Sequence, residues 1–152
     1  MNHIRRIDRL KEQLAQEGIA NYALISWEGS GQASLRYLTG FTGTFGILLV
    51  AGDDVVFYTD SRYDHRARTT LKGLTVERVK HLNAFPEAVS ARGIDRLSLN
   101  AATVSAEQYF EIEEKLDGVA LSPAPDLAYR LREVKEPAEI ERIREAQAIT
   151  DA

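Results

Sequence analysis

The chain has 152 residues, a formal charge of −4 at pH 7, 44% hydrophobic and 28% charged residues, and no cysteine. That length suits one α/β domain, at ~100–200 residues per domain, and its mildly acidic, interspersed charge gives no electrostatic basis for binding nucleic acid or an anionic membrane. The composition excludes disulfides and thiolate metal sites, which fits a reducing cytoplasm, and the longest apolar run, Phe45 to Gly52, falls far short of the ~20 residues that span a bilayer.

At the start, Arg5, Arg6 and Arg9 are not followed by the apolar core of a secretory signal. Instead Ile4, Ile7, Leu10 and Leu14 recur at helical spacing before Gly18, predicting a helix from His3 to Glu17. Tyr22 to Ile25 reads as a buried strand that runs into a Trp27–Gly31 loop, with a short helix from Ala33 to Leu38 before Gly40. Phe45 to Val50, the turn Gly52-Asp53-Asp54, and Val55 to Thr59 predict an antiparallel hairpin. Asp60 or Ser61 is expected to cap a helix reaching Leu71, with Ser61 and Asp64 in capping-box spacing.

A strand over Thr75 to Lys80, a helix over Phe85 to Arg92 and a strand over Arg96 to Leu99 come next. Ser105 opens a helix through Leu116, and a short extended piece, Val119 to Leu121, leads into Ser122-Pro123-Ala124-Pro125. That proline-rich stretch is the clearest boundary signal. Beyond it, Asp126 to Val134 and Pro137 to Ala152 read as helices, with Pro137 suited to a first turn. The expected fold is a three-layer α/β/α domain around a mixed sheet of about five strands. The last helix carries an apolar stripe, Ile140, Ile143, Ala146 and Ile149, that nothing in the sequence covers.

The chemical constellations are sparse. The three histidines, His3, His65 and His81, lie far apart and none has metal-ligand spacing with another. Asp60, Asp64 and His65 read as helix-end complementarity, and Ser61, Asp64 and His65 sit on one helical turn, whereas a nucleophilic triad converges from different elements. The run Gly40-Phe41-Thr42-Gly43-Thr44-Phe45-Gly46 lacks the lysine and following helix of a phosphate loop, so its glycines are expected to permit close packing, with Phe41 and Thr42 as the residues it would expose. A two-metal nuclease needs an acid on the first strand, and Tyr22 to Ile25 has none. Trp27 and Tyr37 read as core or edge aromatics, and Arg62, Arg132, Lys135 and Arg144 as solvated helix charges.

Three stretches carry a family resemblance. Leu35-Arg36-Tyr37-Leu38-Thr39-Gly40-Phe41-Thr42-Gly43 and Thr59-Asp60-Ser61-Arg62-Tyr63 resemble the N-terminal domain of the creatinase, prolidase and aminopeptidase P group. Leu131-Arg132-Glu133-Val134-Lys135-Glu136-Pro137-Ala138-Glu139-Ile140, with Ile143, Arg144 and Ala146, is similar to the junction into the catalytic domain of that group. The resemblance implies a ribonuclease H-like mixed sheet, with residues 1–122 as the N-terminal domain, 123–136 as a linker and connecting helix, and 137–152 as the first helix of a pita-bread catalytic domain.

It further implies that the chemistry lies in that catalytic domain, where two divalent metals (manganese, cobalt or zinc) activate a water to cleave Xaa-Pro bonds. No residue of this chain inherits a catalytic or metal-binding role. The implied partners are its own catalytic domain and a second subunit of a homo-oligomer, whose active site this domain restricts to short proline-containing peptides. By the same resemblance Phe41, Thr42 and Thr44 are the expected substrate-edge or interface contacts, with Tyr37 and Arg62 supporting their loop. Ile140, Ile143 and Ile149 form the expected inter-domain face. A creatine-hydrolysing member is expected to carry an arginine in that loop. None stands between Phe41 and Phe45, which favours a peptide. The rival reading is a stand-alone peptide-binding or assembly module on the same fold.

Overall fold

The computed structural model of the chain describes residues 3–151, so the expected helix end at Ala152 lies outside the described residues. Helix α1, His3–Gln16, buries Ile7, Leu10 and Leu14 as their spacing requires, and Gly18 ends the segment with a φ of 69°. Strand β1, Asn21–Trp27, is buried along its middle, as befits a central strand. Helix α2, Gln32–Thr39, is followed by the hairpin β2, Phe45–Ala51, and β3, Asp54–Thr59. Helix α3, Asp64–Thr70, and strand β4, Thr75–Arg78, complete the first half. A 3-10 turn, Leu82–Ala84, runs into α4, Phe85–Ser90, and then β5, Arg96–Asn100. Helix α5, Ala106–Lys115, strand β6, Ala120–Ala124, and helices α6, Leu127–Glu133, and α7, Pro137–Thr150, close the chain.

The strands form one mixed sheet in the order β4-β3-β2-β1-β5-β6. The β1–β2 and β2–β3 pairs are antiparallel, and β3–β4, β1–β5 and β5–β6 are parallel. Alternate residues of each strand face opposite layers. Tyr22, Leu24, Leu48, Val50 and Phe57 pack against α1, α2, α3 and α6. Ala23, Ile25, Phe45, Ile47, Leu49 and Leu97 pack against the 3-10 turn, α4 and α5. The three-layer expectation holds, with six strands rather than five.

The sixth strand arises because the Ser122-Pro123-Ala124 stretch continues β6 instead of leaving the sheet, with Pro123 opposite Leu99. The Ala120 N–H donates to Asp95 O at 2.8 Å, so strand alternation turns the proline nitrogen to the open edge, where its missing hydrogen costs no ladder bond. A second difference lies at the start of α3. The Ser61–Asp64 capping box does not form, and the residue before the helix is Tyr63. Asp60 competes for this segment: its Oδ1 accepts the Arg62 backbone N–H at 2.9 Å and closes a turn that delays the helix to Asp64. Elsewhere local signals hold, and Ser105 with Gln108 forms a reciprocal capping box on α5.

Gly46 on β2 shows how tightly one face of the sheet is packed. An added Cβ there would lie 2.6 Å from Phe57 Cζ and 2.9 Å from Leu35 Cδ2, both on fully buried side chains. Gly46→Ala is therefore expected to destabilise the domain by about 1–3 kcal/mol through overpacking, read as a lowered urea midpoint with unchanged slope.

Candidate functional site

The loop after α2 is built from its own glycines and threonines. Gly40 takes a φ of 78° and donates its N–H to Arg36 O at 2.8 Å, closing α2. Thr39 Oγ1 donates to Leu35 O at 2.8 Å and accepts the Phe41 N–H at 3.1 Å, which fixes the direction in which the chain leaves the helix. Phe41 is only 4% exposed; its ring packs at a tilt of 57° on Phe57, centroids 4.7 Å apart, and meets Tyr63 edge-on at 5.6 Å. Gly43 folds back over that ring, and a Cβ there would stand 2.4 Å from Phe41 Cζ. Phe41 therefore anchors the loop from beneath, and Thr42 is the residue that faces solvent.

The turn before α3 braces this loop from the side. Thr44 Oγ1 and the Tyr63 hydroxyl are 3.0 Å apart. That side-chain contact, with a further one to the Thr44 backbone, holds the Tyr63 hydroxyl below its ordinary pKa. Arg62 chelates Asp60 through Nε at 3.0 Å and Nη2 at 2.7 Å, and the hydrogen bond to Asp60 raises the guanidinium pKa above its usual value. Arg62 is half exposed, so this pair is worth little to stability and mainly orders the turn. From the next turn, Arg66 Nη2 donates to Thr42 Oγ1 at 2.7 Å.

Beside the loop is a cavity of about 270 Å³ lined by Gln32, Ala33, Arg36, Phe41, Thr42 and Gly43. The structure thus brings Thr42, Thr44, Phe41 and Arg62 together and adds Gln32, Arg36 and Arg66, which the sequence reading did not select. Tyr37 lies on the opposite side of α2, buried, with its hydroxyl donating to Leu131 O at 3.2 Å. Ile140, Ile143 and Ile149 are 40%, 54% and 80% exposed on α7, a helix that buries no residue. Ser61 and His65 are exposed while Asp64 accepts Arg68 Nε at 2.9 Å, so those three do not form a reactive group. Among the described residues no group of three or more His, Cys, Asp or Glu side chains is placed to hold a metal ion.

The family model described as the creatinase/prolidase N-terminal domain matches residues 6–134. The chain belongs to that family. An uncharacterized peptidase of Bacillus subtilis (strain 168), YqhT, is 27% identical over 150 residues, a match spanning 96% of this chain and 40% of that protein. The solved Xaa-Pro dipeptidase from Bacillus anthracis is 27% identical with a TM-score of 0.80, covering 92% of this chain and 38% of that one. The N-terminal domain of the cytoplasmic peptidase PepQ from Mycobacterium tuberculosis H37Rv is 26% identical with a TM-score of 0.72, covering 84% of this chain and 98% of that domain. The chain spans about two fifths of the length of the first two relatives and nearly all of the third.

In this creatinase/prolidase N-terminal domain the least expected residue is Arg6. Its side chain is 2% exposed. Nη1 donates to Tyr37 O at 3.0 Å, Nε and Nη2 donate to the Glu136 carboxylate at 3.3 and 2.9 Å, and Nη2 lies 3.2 Å from Glu139 Oε1. The guanidinium carbon stands 3.9 Å above the Tyr37 ring. Burial alone would lower the Arg6 pKa; the hydrogen bond to Glu136 and the fields of Glu139 and Glu136 outweigh it and raise it. The Arg6 hydrogen bond in turn holds the Glu136 carboxyl below its reference value of 4.5. One side chain therefore joins α1, α2 and the entry to α7.

Arg6→Met is expected to cost about 2–3 kcal/mol in urea denaturation, below the range for a wholly buried pair because both glutamates keep some solvent. A carboxylate with a depressed folded-state pKa stabilises above its unfolded pKa, and that contribution disappears as pH falls through the folded value. The stability difference between the parent chain and Arg6→Met should thus stay level above pH 4.5 and shrink below it. A difference that instead grows on acidification would contradict the assignment.

Proposed function

We propose that this chain is the non-catalytic N-terminal domain of a metallopeptidase that cleaves Xaa-Pro bonds, serving dimerisation and limiting access to the neighbouring subunit's active site. The family match over residues 6–134 carries this reading, with two relatives bearing peptidase or dipeptidase names whose chains run well past the matched region. The water-activating chemistry would be supplied by two divalent metals held in a following domain, where they would lower the pKa of a bound water and polarise the scissile carbonyl. In this reading the contribution of this chain is shape and contact.

In this reading residues 1–122 form the domain and 137–152 begin the catalytic part, while 123–136 join the two through the end of β6 and the core-packed α6. The Ile140, Ile143 and Ile149 face of α7 docks on that part, and the Phe41–Thr44 loop with Arg62 borders the substrate of a second subunit. In this reading the whole protein is cytoplasmic, which the description of the mycobacterial relative as a cytoplasmic peptidase supports.

The chain alone, given manganese and the dipeptide Ala-Pro, is expected to release no proline above a protein-free blank. Turnover that persists through repurification would overturn the non-catalytic assignment. Ile143→Glu should leave the chain's own stability within ~0.5 kcal/mol, because this side chain covers nothing here. The same substitution in a chain extended by the catalytic domain should lower thermal stability and Xaa-Pro hydrolysis together. Unchanged hydrolysis there would remove the docking role of α7.

A further inference from the structure

We infer that Arg6 is a latch that sets the direction in which α7 leaves the domain, with Val134 and Lys135 as the pivot it holds still. Helix α7 buries no residue, so apolar packing does not aim it. Its first turn is tied instead to Arg6, whose Nη2 lies 2.9 Å from Glu136 Oε2 and 3.2 Å from Glu139 Oε1. Farther along, Arg144 bonds Glu141, Gln147 bonds Asp151 and Thr150 Oγ1 donates to Ala146 O, and these contacts stay within the helix.

The segment between the last two helices leaves room for movement. Val134, Lys135 and Glu136 stand between α6, which ends at Glu133, and α7, which begins at Pro137. Val134 is 70% exposed, and Lys135 Nζ donates to Arg132 O and Glu133 O, back towards α6 rather than across to α7. Pro137 keeps the residue before it out of the helical region, and Glu136 has a φ of −71° and a ψ of 154°. Helices α6 and α7 therefore do not merge into one rod. The freedom to change direction falls on Val134 and Lys135, both exposed, as hinge residues between two helix ends.

The geometry around Arg6 suits it to hold such a pivot. Its guanidinium is first fixed on α2, by Tyr37 O at 3.0 Å and by the Tyr37 ring, whose centroid lies 3.9 Å from the guanidinium carbon. Glu136 then takes the edge formed by Nε and Nη2, while Glu139 meets Nη2 from three residues farther on. Two contacts spaced along one helical turn define an axis, where one alone would leave a swivel. The direction of α7 is thus carried by charge-assisted bonds that a single substitution removes. What α7 leads into rests on the peptidase reading above; the latch rests only on contacts within this chain.

The test is pulsed electron paramagnetic resonance between spin labels at Glu87→Cys on α4 and Ala146→Cys on α7, both exposed positions in a chain with no cysteine of its own. The labelled parent should give one narrow distance peak. Glu136→Gln with Glu139→Gln removes the ion pairs but keeps glutamine, which also serves in a capping box, at the third position of the helix. In that variant the narrow peak should be lost to a broad distribution while far-ultraviolet dichroism shows the domain still folded. Arg6→Met should broaden it too, and Arg6→Lys, with no fork to span both acids, should fall between Arg6→Met and the parent. A peak as narrow in the folded double-glutamine variant as in the parent, or a parent that is already broad, would overturn the latch. In a chain extended by the catalytic domain, a broadened peak with undiminished Xaa-Pro hydrolysis would keep the latch and remove its part in placing that domain.

Discussion

A single positive charge taken out of water organises this domain. Arg6 is buried to a degree that arginines rarely reach, and a desolvated guanidinium must find hydrogen-bond acceptors for its fork of N–H groups. It finds them on the Tyr37 carbonyl, on Glu136 and on Glu139, and its flat face rests on the Tyr37 ring. Those acceptors belong to two helices far apart in sequence. Burying Arg6 therefore fixes α2 and the α6–α7 junction against α1 in one arrangement. Hydrophobic contact alone would tolerate more sliding, because apolar packing is non-directional whereas a fork of hydrogen bonds is not.

The same constraint reaches the loop. Tyr37 also gives its hydroxyl to Leu131, and its carbonyl is shared with His3, so this turn of α2 is held from several sides. Thr39 and Phe41 follow within four residues and inherit that position. With Phe41 driven into the core and Gly43 laid over its ring, the loop presents Thr42 on a rigid base. Binding residues on a preset loop keep their geometry better than those on a free one. This is why an aromatic that the sequence suggests as a contact serves as the anchor beneath the contact.

The helices with clear apolar periodicity, the hairpin and the three-layer arrangement were legible in the sequence because local pattern and global burial agree there. The misreadings share a cause: a competing interaction decided by a neighbour. Asp60 can cap a helix, but the Arg62 guanidinium two residues on claims its carboxylate and shapes a turn instead. Pro123 reads as a linker residue until its strand proves to lie at the sheet edge, which only the strand order reveals. Arg6 sits between Arg5 and Arg9 in a basic stretch, and only its place four residues before Leu10, on the buried face of α1, hinted at its burial. Its Glu136 partner is 130 residues away. Arg66 was hidden for the same reason, since it meets Thr42 only through the packing of α3 on the sheet.

Helix α7 shows how charge substitutes for packing. At 14 residues it would extend ~21 Å, a length at which isolated helices are marginal in water, and it buries no residue. Its stability must come from its first turn. There the Glu139 carboxylate accepts the Glu136 backbone N–H at 3.0 Å, and the Glu139 N–H donates to Glu136 O at 2.9 Å. A positive charge beside a helix N-terminus would normally oppose the dipole. The two carboxylates stand between Arg6 and that end, complementing both at once. Removing either acid would therefore expose Arg6 to an unfavourable field as well as lose a cap, which makes this short acidic pair the point where the domain and its projecting helix are physically joined.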